Sequence, residues 1–280
     1  MTASIYHLFR ELLSESKYLK SKNKLEGFPF NKDVISCKNK GKFPDVALRL
    51  NRGNKLLPGG EFIEMKDSKS YNVTSFNSTI PTGTKKISDI ITGDNNKIAK
   101  QMEAAGDDIN ALPDRDVFYL VRGRSDKTCN KTKVCLVHGD FFCTIPVERL
   151  IQESFGEALN SRLKEMDLEM SADKKLEFVS LFSQRHIFSS VRTVEKASVK
   201  LRFRVMSEAR QEANILNDSK YPLILDDSAN LILPLTNVKT RDHYVSIMEQ
   251  VFSKEEYKQL KVTVLKHLID GEFLLFQKQI

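Results

Sequence analysis

Two short stretches whose apolar residues recur at every second position constrain this chain more than any other feature. Asp45-Val46-Ala47-Leu48-Arg49-Leu50 sets Val46, Leu48 and Leu50 on one side of an extended strand. After a Gly- and Pro-bearing segment, Asn51 to Gly60, a second strand is predicted over Glu61 to Asp67. Two such strands joined by a turn read as a hairpin. Alternation sets Phe62, Glu64 and Lys66 on one face, and Ile63 and Met65 on the other, core-directed face. Asp45 faces opposite to Val46 and Leu48. The hairpin therefore brings two carboxylates and a lysine to one edge of a packed sheet.

The remaining pattern is mixed. Ile5, Leu8, Phe9, Leu12 and Leu13 predict a helix over residues 4–20, and the polar, basic stretch from Lys20 to Lys42 reads as loop. Ser70 to Gly83 is rich in Ser, Thr and Asn and also reads as loop. A helix is expected near 97–108 and a strongly apolar strand at Val117 to Val121, ending in Arg122-Gly123-Arg124. Strands are expected at Lys133 to Val137 and Asp140 to Ile145, then helices at 147–165 and 172–182. A second hairpin is expected from Phe188 to Val194 and Ser198 to Met206. The C-terminus reads as helical, with Ser253 and Glu256 spaced as a capping box for a last long helix. The expected organisation is α/β in a single domain, 1–280, with 1–146 as a catalytic core and 147–280 as a helix-rich half that contacts DNA or a second copy.

Composition enters as a filter. With 40% hydrophobic and 29% charged residues, 12 Gly and 8 Pro, a wholly disordered or fibrous chain is excluded. No apolar run approaches the roughly 18 residues that span a bilayer. His7, Arg10 and Glu11 stand where a signal peptide would be apolar, so a soluble, cytoplasmic protein without a membrane partner is expected. Forty-four Lys and Arg against 37 Asp and Glu leave +7, a modest excess that suits a polyanionic partner without requiring one.

Chemistry concentrates at the first hairpin. Two carboxylates from neighbouring strands can hold a hard divalent ion such as Mg²⁺. That ion can polarise a phosphoryl oxygen and lower the pKa of a bound water. A lysine two positions after the glutamate shares its face and can orient the attacking water or offset charge on the phosphate. The acidic-x-Lys triplet alone is common here, as at Glu15/Lys17 and Asp173/Lys175. Its nearest rival, Asp67/Lys69, places Asp67 on the core-directed face with Ile63 and Met65. What sets Glu64/Lys66 apart is a Pro-Asp opening one apolar strand and the triplet lying inside the next.

Asp45, Glu64 and Lys66 resemble the PD-(D/E)xK nuclease signature. The strings Pro44-Asp45-Val46-Ala47-Leu48-Arg49, Glu64-Met65-Lys66-Asp67-Ser68-Lys69, Ser75 to Gly83, Leu112-Pro113 and Arg115 to Arg124 resemble type II restriction endonucleases of the NgoPII family over about residues 40–150. The resemblance implies a restriction-endonuclease-like mixed sheet flanked by helices. It implies Mg²⁺-dependent cleavage of double-stranded DNA at a short palindrome, GGCC in the family's best-known members, leaving 5′-phosphate ends. It makes Asp45 and Glu64 metal ligands, the Met65 carbonyl a further one, and Lys66 the residue that assists the water. A third acid from an early helix would be Glu11 or Glu15. A cognate DNA methyltransferase would be the functional partner.

A two-fold palindrome is most simply read by a homodimer. Arginine is the usual bidentate donor to guanine, so Arg122 and Arg124 are candidates for DNA contact. Lys200, Arg202 and Arg204 on one strand face suit a phosphate track. Ser75, Asn77, Ser78 and Thr79 are further candidates, as are Gln184, Arg185 and His186. Cys129, Cys135, His138 and Cys143 lack the paired spacing of a zinc knuckle. Two other readings stay open: a structure-specific DNA repair or recombination nuclease, and a non-catalytic DNA-binding module.

Overall fold

The computed structural model describes residues 3–39, 42–50, 59–73, 75–77, 81–92, 96–125, 131–142, 147–183, 190–194, 197–200, 206–208, 211–269 and 271–280. In chain order the elements are α1 (Ala3–Ser14), α2 (Ser16–Lys20), β1 (Ile35–Lys38), β2 (Val46–Leu48), β3 (Phe62–Ser68), β4 (Ser75–Asn77), β5 (Thr84–Lys86), α3 (Lys97–Ala104), β6 (Asp114–Ser125), β7 (Lys131–His138), α4 (Val147–Glu165), α5 (Ala172–Ser183), β8 (Ser190–Val194), β9 (Ala197–Lys200), β10 (Met206–Glu208), β11 (Ser228–Leu235), α6 (Val238–Val251), α7 (Lys254–Lys258), β12 (Lys261–Lys266) and β13 (Glu272–Gln279). They divide into two units: Met1–Ser75, Thr82–Phe142 and Glu208–Ile280 in one, and Phe76–Pro81 with Cys143–Ser207 in the other.

The first unit is built on a nine-stranded sheet in the order β1-β2-β3-β6-β7-β11-β13-β12, with β5 also paired to β6. β3 runs parallel to β6 and β7 parallel to β11, while the other pairings are antiparallel. The class is therefore mixed α/β, a central sheet flanked by helices. Its main core joins one sheet face to α1 and α6: Ile63, Met65, Leu120, Leu136, Leu231 and Phe276 meet Ile5, Phe9, Leu12, Tyr244 and Met248. The α1 residues fall on one helical stripe, which is why the segment folds as an amphipathic helix against the sheet. The opposite face is also covered. Tyr119, Phe141, Phe142 and Tyr221 stack there at ring separations of 5.2 to 5.5 Å.

The second unit pairs α4 with α5 and β8 antiparallel to β9. The short β4 pairs with β10. Among the described residues no helix is long and apolar enough to cross a membrane.

Several expectations need correction. The stretch from Lys20 to Lys42 contains β1, which pairs antiparallel with β2. Gly139–Phe141 is a 3₁₀ turn, so the strand expected from Asp140 does not begin there. The capping box at Ser253 and Glu256 forms, but α7 stops at Lys258 and the chain returns as the hairpin β12–β13. Residues 208–280 consequently rejoin the main sheet through β11, β12 and β13, so the helix-rich half also supplies three strands of the central sheet.

Candidate active site

The first hairpin forms as its alternation required. Val46 lies opposite Ile63 and Ala47 opposite Phe62 in an antiparallel pair, with Ile63 and Met65 in the core. Glu64 and Lys66 share the other face, and Lys66 Nζ lies 2.9 Å from Glu64 Oε1. Asp45, one residue before β2, accepts the Met65 N–H on Oδ2 at 2.8 Å. The three residues of the signature thus meet at one place, where β3 runs past the start of β2.

The electrostatics there are unbalanced. Glu64 is 7% exposed, and its Oε2 is buried with no hydrogen bond to the described residues. Burial pushes the Asp45 carboxyl up to about 6, the Glu64 charge adds to the rise, and the Met65 N–H and Lys66 oppose it. Two carboxylates in one partly dry pocket disfavour each other's charge, and a cation between them would relieve both. The oxygens fit such an ion. A strand residue projects its N–H and C=O to the same side. Because the Met65 N–H points at Asp45, the Met65 carbonyl faces that side too. Asp45, Glu64 and the Met65 carbonyl would together offer the oxygen set that Mg²⁺ takes. Among the described residues no three His, Cys, Asp or Glu side chains cluster as a ligand set.

The expected early acids sit elsewhere. Glu11 accepts the Asn31 N–H and lines a groove of about 590 Å³ with His7, Arg10 and Glu256; burial raises its pKa. Besides Glu64, the acid whose charge bears on Asp45 is Glu26, on the 3₁₀ turn Leu25–Gly27. Nothing in its local pattern, Lys24-Leu25-Glu26-Gly27, marks it; only the packing of that turn on β3 does.

The arginines expected at DNA are enclosed. Arg122 is 0% exposed and donates from Nε and Nη2 to Asp67 at 3.0 and 2.7 Å. The Arg124 side chain is 8% exposed, with Nη2 3.5 Å from Asp67 Oδ1. Both stand inside β6, which continues to Ser125, and not on a loop end. Both side chains are turned to Asp67 and buried, which is not the exposed placement expected of a DNA contact. Gly123 between them leaves room for two side chains: a Cβ there would lie 2.6 Å from Leu216 Cδ1 and 3.1 Å from Tyr71 Cδ1.

Ser75 and Asn77 stand on β4 and Lys200 closes β9. Ser78, Thr79, Arg202, Arg204, Gln184, Arg185 and His186 lie outside the described residues, as do Cys129 and Cys143. Cys135 is buried in β7. Comparison with protein-family models, curated proteins and solved structures finds no match for the chain.

Proposed function

We propose that this chain is a Mg²⁺-dependent endonuclease that hydrolyses phosphodiesters of duplex DNA. The observation that carries the reading is the meeting of Asp45, Glu64 and Lys66 at the open end of the β2–β3 pair, with a buried Glu64 oxygen left without a partner. Asp45, Glu64 and the Met65 carbonyl would hold the ion, which when bound supplies Lewis-acid polarisation of a phosphoryl oxygen and a more acidic water. Lys66 is the cationic donor of the site. Its side chain is 19% exposed, so it can face a substrate while remaining anchored to Glu64. Placed there, an ammonium offsets the negative charge that builds on phosphorus-bound oxygens as water attacks.

The likeness to type II restriction enzymes of the NgoPII family extends this reading to a fixed palindromic site, GGCC in the family's best-known members, with 5′-phosphate products, a homodimer on DNA and a cognate methyltransferase. It extends the fold reading likewise, to a restriction-endonuclease-like sheet. A positively charged cytoplasmic protein suits that role.

Incubation of a supercoiled plasmid with the protein and Mg²⁺ tests the reading. Discrete fragments whose ends map to one sequence support it. Loss confined to ends or junctions moves the assignment to a repair or recombination nuclease. An intact plasmid with a gel shift leaves a binding module.

A further inference from the structure

β3 outruns its neighbour on one flank. β2 pairs with it only at Phe62 and Ile63, and the Leu48 N–H reaches the Glu61 carbonyl at 2.9 Å. β6 continues along the other flank as far as Ser68. The stretch that carries Glu64, Met65 and Lys66 is therefore held by a strand on one side only. A lysine whose task depends on position cannot rest on such a half-supported strand without further restraint.

Asp67 supplies one. It lies directly across from Arg122 in the β3–β6 register. The Arg122 guanidinium grips it as a fork, Nε to Oδ1 at 3.0 Å and Nη2 to Oδ2 at 2.7 Å, and the Leu25 N–H adds a bond to Oδ2 at 3.2 Å. The same guanidinium donates to the Leu19 carbonyl at 3.0 Å and to the Asn23 carbonyl. One carboxylate thus ties the end of α2, the loop after it and the turn Leu25–Gly27 to the strand residue next to Lys66.

We propose that Asp67 is a positioning residue for this site. Through Arg122 and the Leu25 amide it fixes the β3 end that presents Lys66. The proposal rests on the nuclease reading above. Asp67→Asn keeps the side-chain size but replaces one acceptor oxygen by an NH₂ that faces an N–H donor, so the fork cannot close. Arg122→Lys keeps the charge and loses the planar fork.

The test compares both variants with the parent in four measurements: the folded fraction, DNA affinity, single-turnover cleavage at saturating DNA, and the Mg²⁺ concentration for half-maximal rate. The expected result is a rate per folded molecule lower by roughly tenfold or more. DNA affinity stays within about twofold, and the Mg²⁺ requirement rises. A rate per folded molecule equal to the parent's overturns the proposal. So does a loss fully accounted for by unfolding with an unchanged Mg²⁺ requirement. If the parent cuts no DNA, the functional reading has failed by itself, and calorimetric titration with Mg²⁺ decides the positioning role. Weaker binding by Asp67→Asn then supports it, and equal binding removes it.

Discussion

On one face of β3 stand Glu64 and Lys66; on the other, one residue further, stands Asp67. Both clusters are ionic, and Glu64 in one and Arg122 in the other are buried, yet they are satisfied to different degrees. Asp67 receives two bonds from Arg122, one from Arg124 and one from the Leu25 amide, and the remaining Arg122 donors reach carbonyls. Glu64 shares one oxygen with Lys66 and leaves the other without a hydrogen bond, next to a second carboxylate whose pKa has risen to about 6. A buried guanidinium paired on each nitrogen, as Arg122 is, organises its surroundings. A buried carboxylate left short of partners beside another carboxylate is a place where a cation, and with it chemistry, fits.

The sharpest way to break this comparison is to remove one charge from each cluster. Lys66→Ala is expected to lower cleavage by about 10²–10⁴-fold and leave DNA affinity nearly unchanged. Single-turnover assays beside gel shifts measure both, and full activity would take Lys66 out of the mechanism. Arg122→Met is expected to lower stability as well, by about 1–3 kcal/mol, because the buried guanidinium that binds the Leu19 and Asn23 carbonyls is lost and those acceptors are left unpaired. Urea denaturation reads that loss. A stable Arg122→Met protein that no longer binds DNA would restore the arginine to the interface and reverse the assignment of the two clusters.

Asp45→Asn sharpens the contrast in the opposite direction. The amide oxygen can still accept the Met65 N–H, while the repulsion with Glu64 and the burial of a charge both disappear. In EDTA at neutral or higher pH the variant is expected to be more stable than the parent by about 0.5–2 kcal/mol, the usual gain when a functional charge is traded for stability. The sign follows from linkage. A carboxyl raised from 3.8 to about 6 by folding costs stability once pH exceeds the folded value, and costs nothing below the ordinary one. Thermal unfolding with and without Mg²⁺ measures it, and a variant less stable than the parent in EDTA would refute the picture of an unbalanced site.

How much of this was legible in the sequence depends on which faces of the sheet are covered. The β2–β3 hairpin and its facing were readable because Glu64 and Lys66 interrupt an apolar strand on one side, leaving a period of two. β11 and β13 carry apolar runs, Leu231-Ile232-Leu233 and Phe273-Leu274-Leu275-Phe276, buried on both faces. Such runs have no period to separate strand from helix. The capping box at Ser253 was real, but a cap marks where a helix starts and says nothing of its length; Val262, Thr263 and Val264 then favour a strand. The pairing of Arg122 was hidden for a different reason. Its partner Asp67 is distant in sequence, and only the parallel β3–β6 register brings the two together. Glu26 was invisible on the same ground.

His138 extends the comparison to the opposite end of β7 and carries the smallest expected effect. Its Nδ1 lies 3.3 Å from Asp140 Oδ2 and its Nε2 lies 3.9 Å from Asp116 Oδ1, under the edge of Phe118 at 5.1 Å. Burial pulls the imidazole pKa down, but the hydrogen bonds and charges of Asp116 and Asp140 outweigh it and the net shift is upward. Folding therefore tightens the proton on His138. The stability it contributes is fully present below the ordinary value of 6.5 and is lost as pH rises through the folded one. His138→Gln is accordingly expected to cost more at about pH 5 than at about pH 9, measured by urea denaturation at both. Equal costs at the two pH values would mean that the imidazole stays neutral between its two carboxylates. His138 would then not belong with Arg122 and Asp67 as a paired charge.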